Sequence, residues 1–171
     1  MNITILGCGD VGTRCARLLL QAGHTVTGVR RNITRLPPWL PAAQADVLDT
    51  SSLGVLCPPD KPAPDVVIYS LAASGFDEQS YIDAYITGVE NSLQALRNVP
   101  LKRFIFVSST GVYHQNDGSI VDEDSATEPV RFNGRRVLQG EQLVRARNTG
   151  TCVRYSGIYG PKRLRLINRV A

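Results

Sequence analysis

A glycine-rich turn near the N-terminus has the residue types and spacing to bind a phosphate group. It contains Gly7, Gly9, Asp10, Val11 and Gly12, and it follows the apolar segment 3–6. The first glycine permits a tight turn, the second lets the backbone approach a pyrophosphate, and the third lets the next helix pack on the strand. That helix directs its unpaired N–H groups and the positive end of its dipole at the anion. We therefore predict that these five residues bind a dinucleotide; a plain structural turn is the alternative.

Arginines stand at the end of the second predicted strand, 25–29, where a dinucleotide site discriminates between cofactors. A site for NAD usually has Asp or Glu there, to accept hydrogen bonds from the ribose 2′-hydroxyl. This sequence has Arg30 and Arg31, with Arg35 a little beyond. A carboxylate repels a 2′-phosphate, whereas a guanidinium binds it through two parallel hydrogen bonds. We therefore expect NADP and consider NAD the less favoured cofactor; a solvated pair of surface arginines is the alternative.

Predicted strands and helices alternate, which favours an α/β fold of the Rossmann type with a doubly wound parallel sheet. Strands are expected at 3–6, 25–29, 43–49, 65–71, 103–107 and 151–155, and long helices at about 77–98 and 133–147. A short helix is expected from Asp49 or Thr50 to Leu56. The first helix, which follows the glycines, is expected to bury one face. The residues of that face are Val11, Cys15, Leu18 and Leu19.

Ligands bind such sheets outside the carboxyl ends of the strands. The strand at 65–71 ends at Leu71 and is followed by Ala72 and Ala73, and the strand at 103–107 is followed by Ser108. We expect these four residues to contact the cofactor.

The composition is that of one domain, residues 1–171, with 43% hydrophobic residues and a net charge of +4. No apolar run approaches the 18 or so residues that span a membrane, and no signal peptide is apparent. The four cysteines are scattered, which favours reduced thiols in a cytoplasmic protein without a structural metal.

Positive charge is concentrated towards the C-terminus. Residues 1–130 hold 9 basic and 14 acidic side chains, whereas residues 131–171 hold 10 basic and 1 acidic. A tail that binds a polyanion is one interpretation, but aromatic residues are not interleaved with these charges and no nucleic-acid motif is present. We expect an anionic small-molecule substrate or an acidic partner segment, or simply a solvated face, and no nucleic acid. A homodimer is a further expectation.

Segments at the strand ends resemble one family, the extended short-chain dehydrogenases/reductases of the NAD-dependent epimerase/dehydratase group. Residues 104–113, FIFVSSTGVY, resemble its SSxxVYG signature, and residues 154–161, RYSGIYGP, are similar to its RPxxVYGP stretch. Asp46 and Val47 fall where the family contacts adenine. The GxGxxG loop and a later NxGR are similar to a small atypical subgroup.

The resemblance implies a Ser that holds the substrate oxygen, here Ser109, and a Tyr-x-x-x-Lys pair that exchanges the proton. That pair is missing, because one register gives Phe132 and Arg136 and the register counted from Glu141 gives Asn133 and Val137. Arg136 remains a candidate for binding the nicotinamide ribose or an anion. Tyr113 is the nearest candidate acid, and His114 beside it is a weaker one.

Extended members continue for roughly 100 residues past the YGP stretch, so we expect a fragment or a natural truncation. The predicted function is an NADP-binding oxidoreductase or epimerase that acts at a carbinol carbon, for instance of a nucleotide sugar. The alternative is a non-catalytic dinucleotide-binding or sensor module.

Overall fold

A parallel six-stranded sheet forms the centre of the computed structural model, which describes residues 1–161, 163–164 and 167–169. Its strand order is β3-β2-β1-β4-β5-β6, and every neighbouring pair is parallel. The order places the switch between the two halves at β1 and β4, which confirms the expected Rossmann-type sheet. The strands are β1 (Asn2–Leu6), β2 (Thr25–Arg30), β3 (Ala42–Gln44), β4 (Val66–Tyr69), β5 (Arg103–Ser109) and β6 (Gly150–Tyr155).

Helices connect these strands and cover both faces of the sheet. The α-helices are α1 (Asp10–Gln21), α2 (Glu78–Ile82), α3 (Gly88–Ala95) and α4 (Phe132–Arg145), and the π-helical turn Asp83–Thr87 joins α2 to α3. The short helix expected before Leu56 is the 3-10 segment Thr50–Leu56, and Asp49 caps it by accepting a hydrogen bond from the Ser51 N–H. No helix in the described part of the chain is long and apolar enough to cross a membrane.

Two apolar clusters lie on opposite faces of the sheet. One cluster contains Tyr69, Phe104 and Phe106, and it packs against α3 and α4. The rings of Phe104 and Phe106 stack on the Tyr69 ring, with centroid distances of 6.2 and 5.9 Å. The other contains Ile5 and Val26 and packs against α1. Packing of the buried strands in these two clusters therefore fixes the positions of their carboxyl ends and of the residues that follow them.

The predicted buried face of α1 is wrong at one position. Leu18 is 66% exposed, whereas Cys15 and Leu19 pack against the core. The fully buried positions are Gly12 and Ala16, because the small residues let the helix axis approach the sheet closely. Leu18 lies two residues past Ala16, a rotation of roughly 200° around the helix, and so points to solvent.

The π-helical turn between α2 and α3 is held by the core beneath it. The buried Tyr69 hydroxyl donates a hydrogen bond of 2.5 Å to the Ala84 carbonyl. A Cβ at Gly88 would lie 2.5 Å from that hydroxyl and 2.7 Å from Val47, so only glycine fits where the turn ends. The extra residue in this turn leaves Asp83 and Tyr85 beside the carboxyl ends of the strands.

Candidate functional site

The glycine turn adopts the geometry that its sequence predicts. Gly7 has φ of +69°, and a Cβ there would lie 2.7 Å from the Leu71 backbone nitrogen. A Cβ on Gly12 would lie 3.0 Å from Ile5, so close packing of α1 on β1 requires a glycine. Gly9 is different, because its Cβ would meet no atom nearer than the Gly7 carbonyl, at 3.8 Å. The space beside Gly9 is therefore open and fits a group that approaches the backbone closely.

A cleft of about 560 Å³ runs across the carboxyl ends of β1, β2, β4 and β5. It brings together most of the cofactor-contact residues expected from the sequence, and Ser109 with them. Ala73, Tyr113 and Arg136 are not among its lining residues. The expected residues that line it are Gly7, Gly9, Asp10, Val11, Gly12, Arg30, Arg31, Asp46, Val47, Leu71, Ala72, Ser108 and Ser109.

The end of the cleft beside β2 is basic. Arg30, Arg31 and Arg35 line it, and the Arg31 side chain is 67% exposed. Arg31 Nη1 lies 3.9 Å from Asp46 Oδ2, a loose ion pair that leaves the guanidinium able to turn towards a ligand. The other oxygen of Asp46 accepts a hydrogen bond from the Leu48 N–H, which fixes the carboxylate in the cleft wall.

At the end of β5, the two serines point in different directions. Ser108 is opposite Arg154 in the β5–β6 register, and Ser109 is opposite Tyr155. Ser108 is buried, and its hydroxyl donates to Glu141 Oε1 at 2.5 Å. Ser109 accepts a hydrogen bond from the Gly111 N–H at 3.1 Å, which leaves its own O–H available to a ligand.

Glu141 and Arg154 form a buried ion pair behind the cleft. Glu141 is fully buried, and it accepts hydrogen bonds from Arg154 Nε at 2.9 Å and Nη2 at 2.7 Å. The bonds to Glu141 raise the pKa of Arg154 above its usual value. Since Glu141 holds the Ser108 hydroxyl as a donor, Ser108 can offer only acceptor lone pairs to a ligand.

Tyr113 belongs to this ion-pair network and does not reach the cleft. Its hydroxyl donates to the Asp122 carbonyl at 2.6 Å and accepts from Arg154 Nη1 at 2.8 Å. The Arg154 guanidinium also lies 4.9 Å from the centre of the Tyr113 ring. Its phenolic proton is directed at the loop carbonyl, so the geometry gives Tyr113 a structural contact.

The orientation of α4 distinguishes the two registers for the missing Tyr-x-x-x-Lys pair. Its buried positions Gly134, Val137, Glu141 and Val144 recur at the spacing of one helical face. Val137 is 4% exposed and lines the cleft, whereas Arg136 points away and bonds Glu78 and Gln139. The orientation of α4 therefore favours the register counted from Glu141, in which Asn133 and Val137 take the Tyr and Lys positions, although Asn133 itself is not a lining residue.

Phe132, the alternative Tyr position, lies in an aromatic cluster on the surface beside α2. Its ring centroid is 5.4 Å from those of Phe76 and Tyr81. The cluster packs on Tyr85 through Tyr81, and Phe76 is 72% exposed.

The cleft residues that sequence reasoning missed include Tyr85, Tyr155 and Arg163. Tyr85 lies in the predicted helix 77–98, far in the chain from the segment where the family has its Tyr-x-x-x-Lys pair. Burial raises the pKa of Tyr85, so its phenol stays neutral near pH 7. The one sequence signal for Arg163 is its position two residues after the YGP stretch.

A glycine cradle at the switch point of a doubly wound sheet, with a basic end beside β2, defines a dinucleotide-binding Rossmann domain. The sequence profile of the NAD dependent epimerase/dehydratase family matches residues 3–171. The chain belongs to this family.

Solved structures share the fold. A Methylobacillus flagellatus protein assigned to the NAD-dependent epimerases/dehydratases is 38% identical with a TM-score of 0.84, over 98% of this chain and 58% of that one. UDP-glucuronic acid 4-epimerase from Bacillus cereus, in complex with NAD, is 27% identical with a TM-score of 0.74, over 96% and 60% of the two chains.

One relative of known sequence is named for binding a stem-loop and not for an enzymatic activity. The chloroplast stem-loop binding protein of 41 kDa b from Arabidopsis thaliana is 33% identical over 159 residues, which are 91% of this chain and 41% of that protein. The chain spans less than half the length of the curated relatives it matches.

Proposed function

We propose that this chain is an NADP-binding domain of the epimerase/dehydratase type, related to oxidoreductases that act on nucleotide sugars. The cleft carries the proposal, because one part of it has an open cradle at Gly9 and another has the arginines that follow β2. The glycine turn would hold the pyrophosphate, Asp46 and Val47 would contact adenine, and Arg30 and Arg31 would bind the 2′-phosphate.

The preference for NADP over NAD rests on charge. The family profile and the solved neighbours are described with NAD, but β2 of this chain ends at Arg30 and is followed by Arg31, with no carboxylate there to accept from a 2′-hydroxyl. Hydrogen bonds to charged groups contribute about 1.5–3 kcal/mol, and the exposure of Arg31 reduces this. We expect NADPH to bind roughly 5- to 30-fold more tightly than NADH.

Fluorescence titration with both cofactors tests this preference. Arg30→Ala with Arg31→Ala should bring the two dissociation constants together by weakening NADPH alone. A matched control removes the same charge at the other end of the sheet, through Arg97→Ala with Arg103→Ala, and should keep the preference. Equal affinities in the unchanged protein, or a preference that survives the first double variant, would contradict the assignment.

We also propose that the chain, as given, is a poor catalyst. A bound nicotinamide supplies hydride transfer, but the protein must supply a proton donor, which typically contributes about 10²- to 10⁴-fold. Asn133 and Val137 are unable to replace an activated Tyr and its Lys, and Tyr85 has a pKa raised by burial. Ser109 remains as a group that would hold a substrate oxygen.

An NADPH-oxidation screen with nucleotide sugars and simple carbonyls tests this proposal, with cofactor binding measured on the same samples. We expect binding without appreciable oxidation, which favours the non-catalytic module over the enzyme. Robust oxidation that is lost in Tyr85→Phe or Tyr155→Phe would identify a cleft phenol as the acid. Robust oxidation lost in Tyr113→Phe would instead show that Tyr113 reaches the substrate.

We propose no nucleic-acid partner, although the Arabidopsis relative is named for binding a stem-loop. Four arginines of the C-terminal part are engaged within the protein: Arg136 with Glu78, Arg147 with two backbone carbonyls, Arg154 with Glu141 and Arg163 with Asp10. A mobility-shift assay with a stem-loop RNA at about 0.15 M salt should show no complex. A salt-resistant complex would reverse this conclusion.

A further inference from the structure

A tight turn after β6 crosses the N-terminus of α1. Gly160 and Arg163 exchange two backbone hydrogen bonds, from Arg163 N to Gly160 O at 2.8 Å and from Gly160 N to Arg163 O at 3.4 Å. Gly160 has φ of +146°, a backbone conformation that favours glycine. These two bonds hold the Arg163 backbone beside Gly160.

Two arginine contacts fasten this turn to α1. Arg14 Nη2 donates to the Pro161 carbonyl at 2.9 Å, and Arg163 Nε donates to Asp10 Oδ2 at 2.7 Å. Arg14 Nε bonds the other oxygen of the same carboxylate at 3.0 Å. Asp10 thus lies between two guanidinium groups, one on its own helix and one delivered by a segment 153 residues away.

The two arginines differ in what they face. Arg163 lines the cleft beside the glycine turn, whereas Arg14 does not. Among the described residues, the Arg163 side chain donates a hydrogen bond through Nε alone, so its two terminal nitrogens keep their N–H groups for another acceptor.

Asp10 explains why a cation is needed at this point. It is the first residue of α1, where its charge interacts favourably with the helix dipole but would repel an anion bound at the same helix end. Hydrogen bonds from Arg14 first, and then from Arg163, lower the pKa of Asp10, so its carboxylate is ionised near neutral pH. Arg163 both offsets that charge and presents free donors beside it.

We infer that Arg163 is a side-chain ligand of the dinucleotide pyrophosphate, oriented by Asp10 and delivered to the glycine cradle by the Gly160–Arg163 turn. This inference rests on the proposed function, since it requires a dinucleotide in the cleft. It assigns pyrophosphate recognition to two distant parts of the chain, backbone N–H groups of α1 and one guanidinium from beyond β6.

Three ligands separate this role from other effects: NADPH, NADH and adenosine 2′-monophosphate, which carries the 2′-phosphate but no pyrophosphate. Arg163→Ala should weaken NADPH and NADH by the same factor, about 10-fold for a partly exposed charged hydrogen bond, and leave adenosine 2′-monophosphate unchanged. Arg14→Ala separates direct contact from docking of the turn, because it removes an equal charge and the bond to Pro161 but no side chain that lines the cleft. It should weaken the two dinucleotides less than Arg163→Ala does, by less than about 3-fold. Thermal unfolding of both variants checks that the fold is retained.

Each other result has a distinct meaning. If the unchanged protein binds neither dinucleotide, the proposed function fails. If it binds them and Arg163→Ala has no effect, only the role of Arg163 is refuted. Equal losses in Arg14→Ala and Arg163→Ala would refute direct contact in favour of docking of the turn. If Arg163→Ala weakens adenosine 2′-monophosphate as much as NADPH, direct contact with the pyrophosphate is also refuted. Arg163 would then act through long-range electrostatic attraction or through the 2′-phosphate.

Discussion

Glu141→Gln tests whether the ion pair behind the cleft stabilises the fold as the geometry indicates. Glu141 is fully buried and accepts three hydrogen bonds at 2.5–2.9 Å, from Ser108 and from two nitrogens of Arg154. A glutamine keeps one oxygen for Ser108 but turns an NH₂ group towards an arginine donor. Arg154, whose side chain is 12% exposed, then holds a nearly buried charge without a counterion.

The expected loss follows from that geometry. Removal of one partner of a buried ion pair costs about 3–5 kcal/mol. The retained acceptor and the Tyr113 ring under the guanidinium reduce this, so we expect about 2–4 kcal/mol in the free energy of unfolding. For a chain of this size, such a loss lowers Tm by about 5–15 °C.

Urea and thermal unfolding followed by circular dichroism measure the effect. Glu90→Gln is the matched control, since Glu90 is exposed on α3 and the same substitution there should stay within about 0.5 kcal/mol. Combining Glu141→Leu with Arg154→Met should cost less than the sum of the two single changes, because no buried charge is left unpaired. A Glu141→Gln protein as stable as the unchanged one would refute the reasoning.

Three further predictions concern single positions. Gly9→Val should abolish NADPH binding with little loss of stability, because the valine side chain would enter the open cradle. Gly7→Ala should instead lower Tm, because Gly7 has a positive φ. Normal NADPH affinity of the Gly9→Val variant in a fluorescence titration would contradict the first expectation. Tyr113→Phe should lower stability by about 1 kcal/mol or more and leave NADPH affinity unchanged, and a weakened affinity would bring Tyr113 into the site. The N–H of Asn2 lowers the pKa of Asp65, which therefore stabilises the fold above about pH 4 and loses that contribution as the pH falls through the lowered pKa. Urea unfolding should show that Asp65→Asn lowers the free energy of unfolding at pH 7 and lowers it less at about pH 3. An equal loss of stability at the two pH values would contradict this expectation.

Local features of this chain are predictable from its sequence. The glycine turn consists of neighbouring residues, and the arginines at the end of β2 follow it closely in the chain, so both can be recognised in the sequence. The Rossmann-type fold that they predict is confirmed by the strand order. The α1 face is less predictable, because apolar character favours Leu18 while close packing is set by the small residues Gly12 and Ala16.

Features that depend on the approach of distant segments escape sequence reasoning. The register of α4 becomes clear only when Gly134 and Gly140 are seen to contact the backbone at Gly111 and Tyr85, which turns Val137 into the cleft. Tyr85, Tyr155 and Arg163 come from three separate segments, and no local pattern marks them as neighbours.

The π-helical turn Asp83–Thr87 makes the number of residues between β4 and α3 a structural constant of the site. Deleting one residue there would allow a regular α-helix, but it would rotate everything on the N-terminal side by roughly 100° relative to α3. Ser80 and Asp83 would leave the cleft wall, while Val89 and Leu96 would remain seated in the core. An insertion or deletion at this turn should thus break the Tyr69–Ala84 hydrogen bond and also change the cleft wall, so it should impair ligand binding. When homologous sequences are aligned, a gap within 83–87 would therefore mark a protein whose cleft recognises something else.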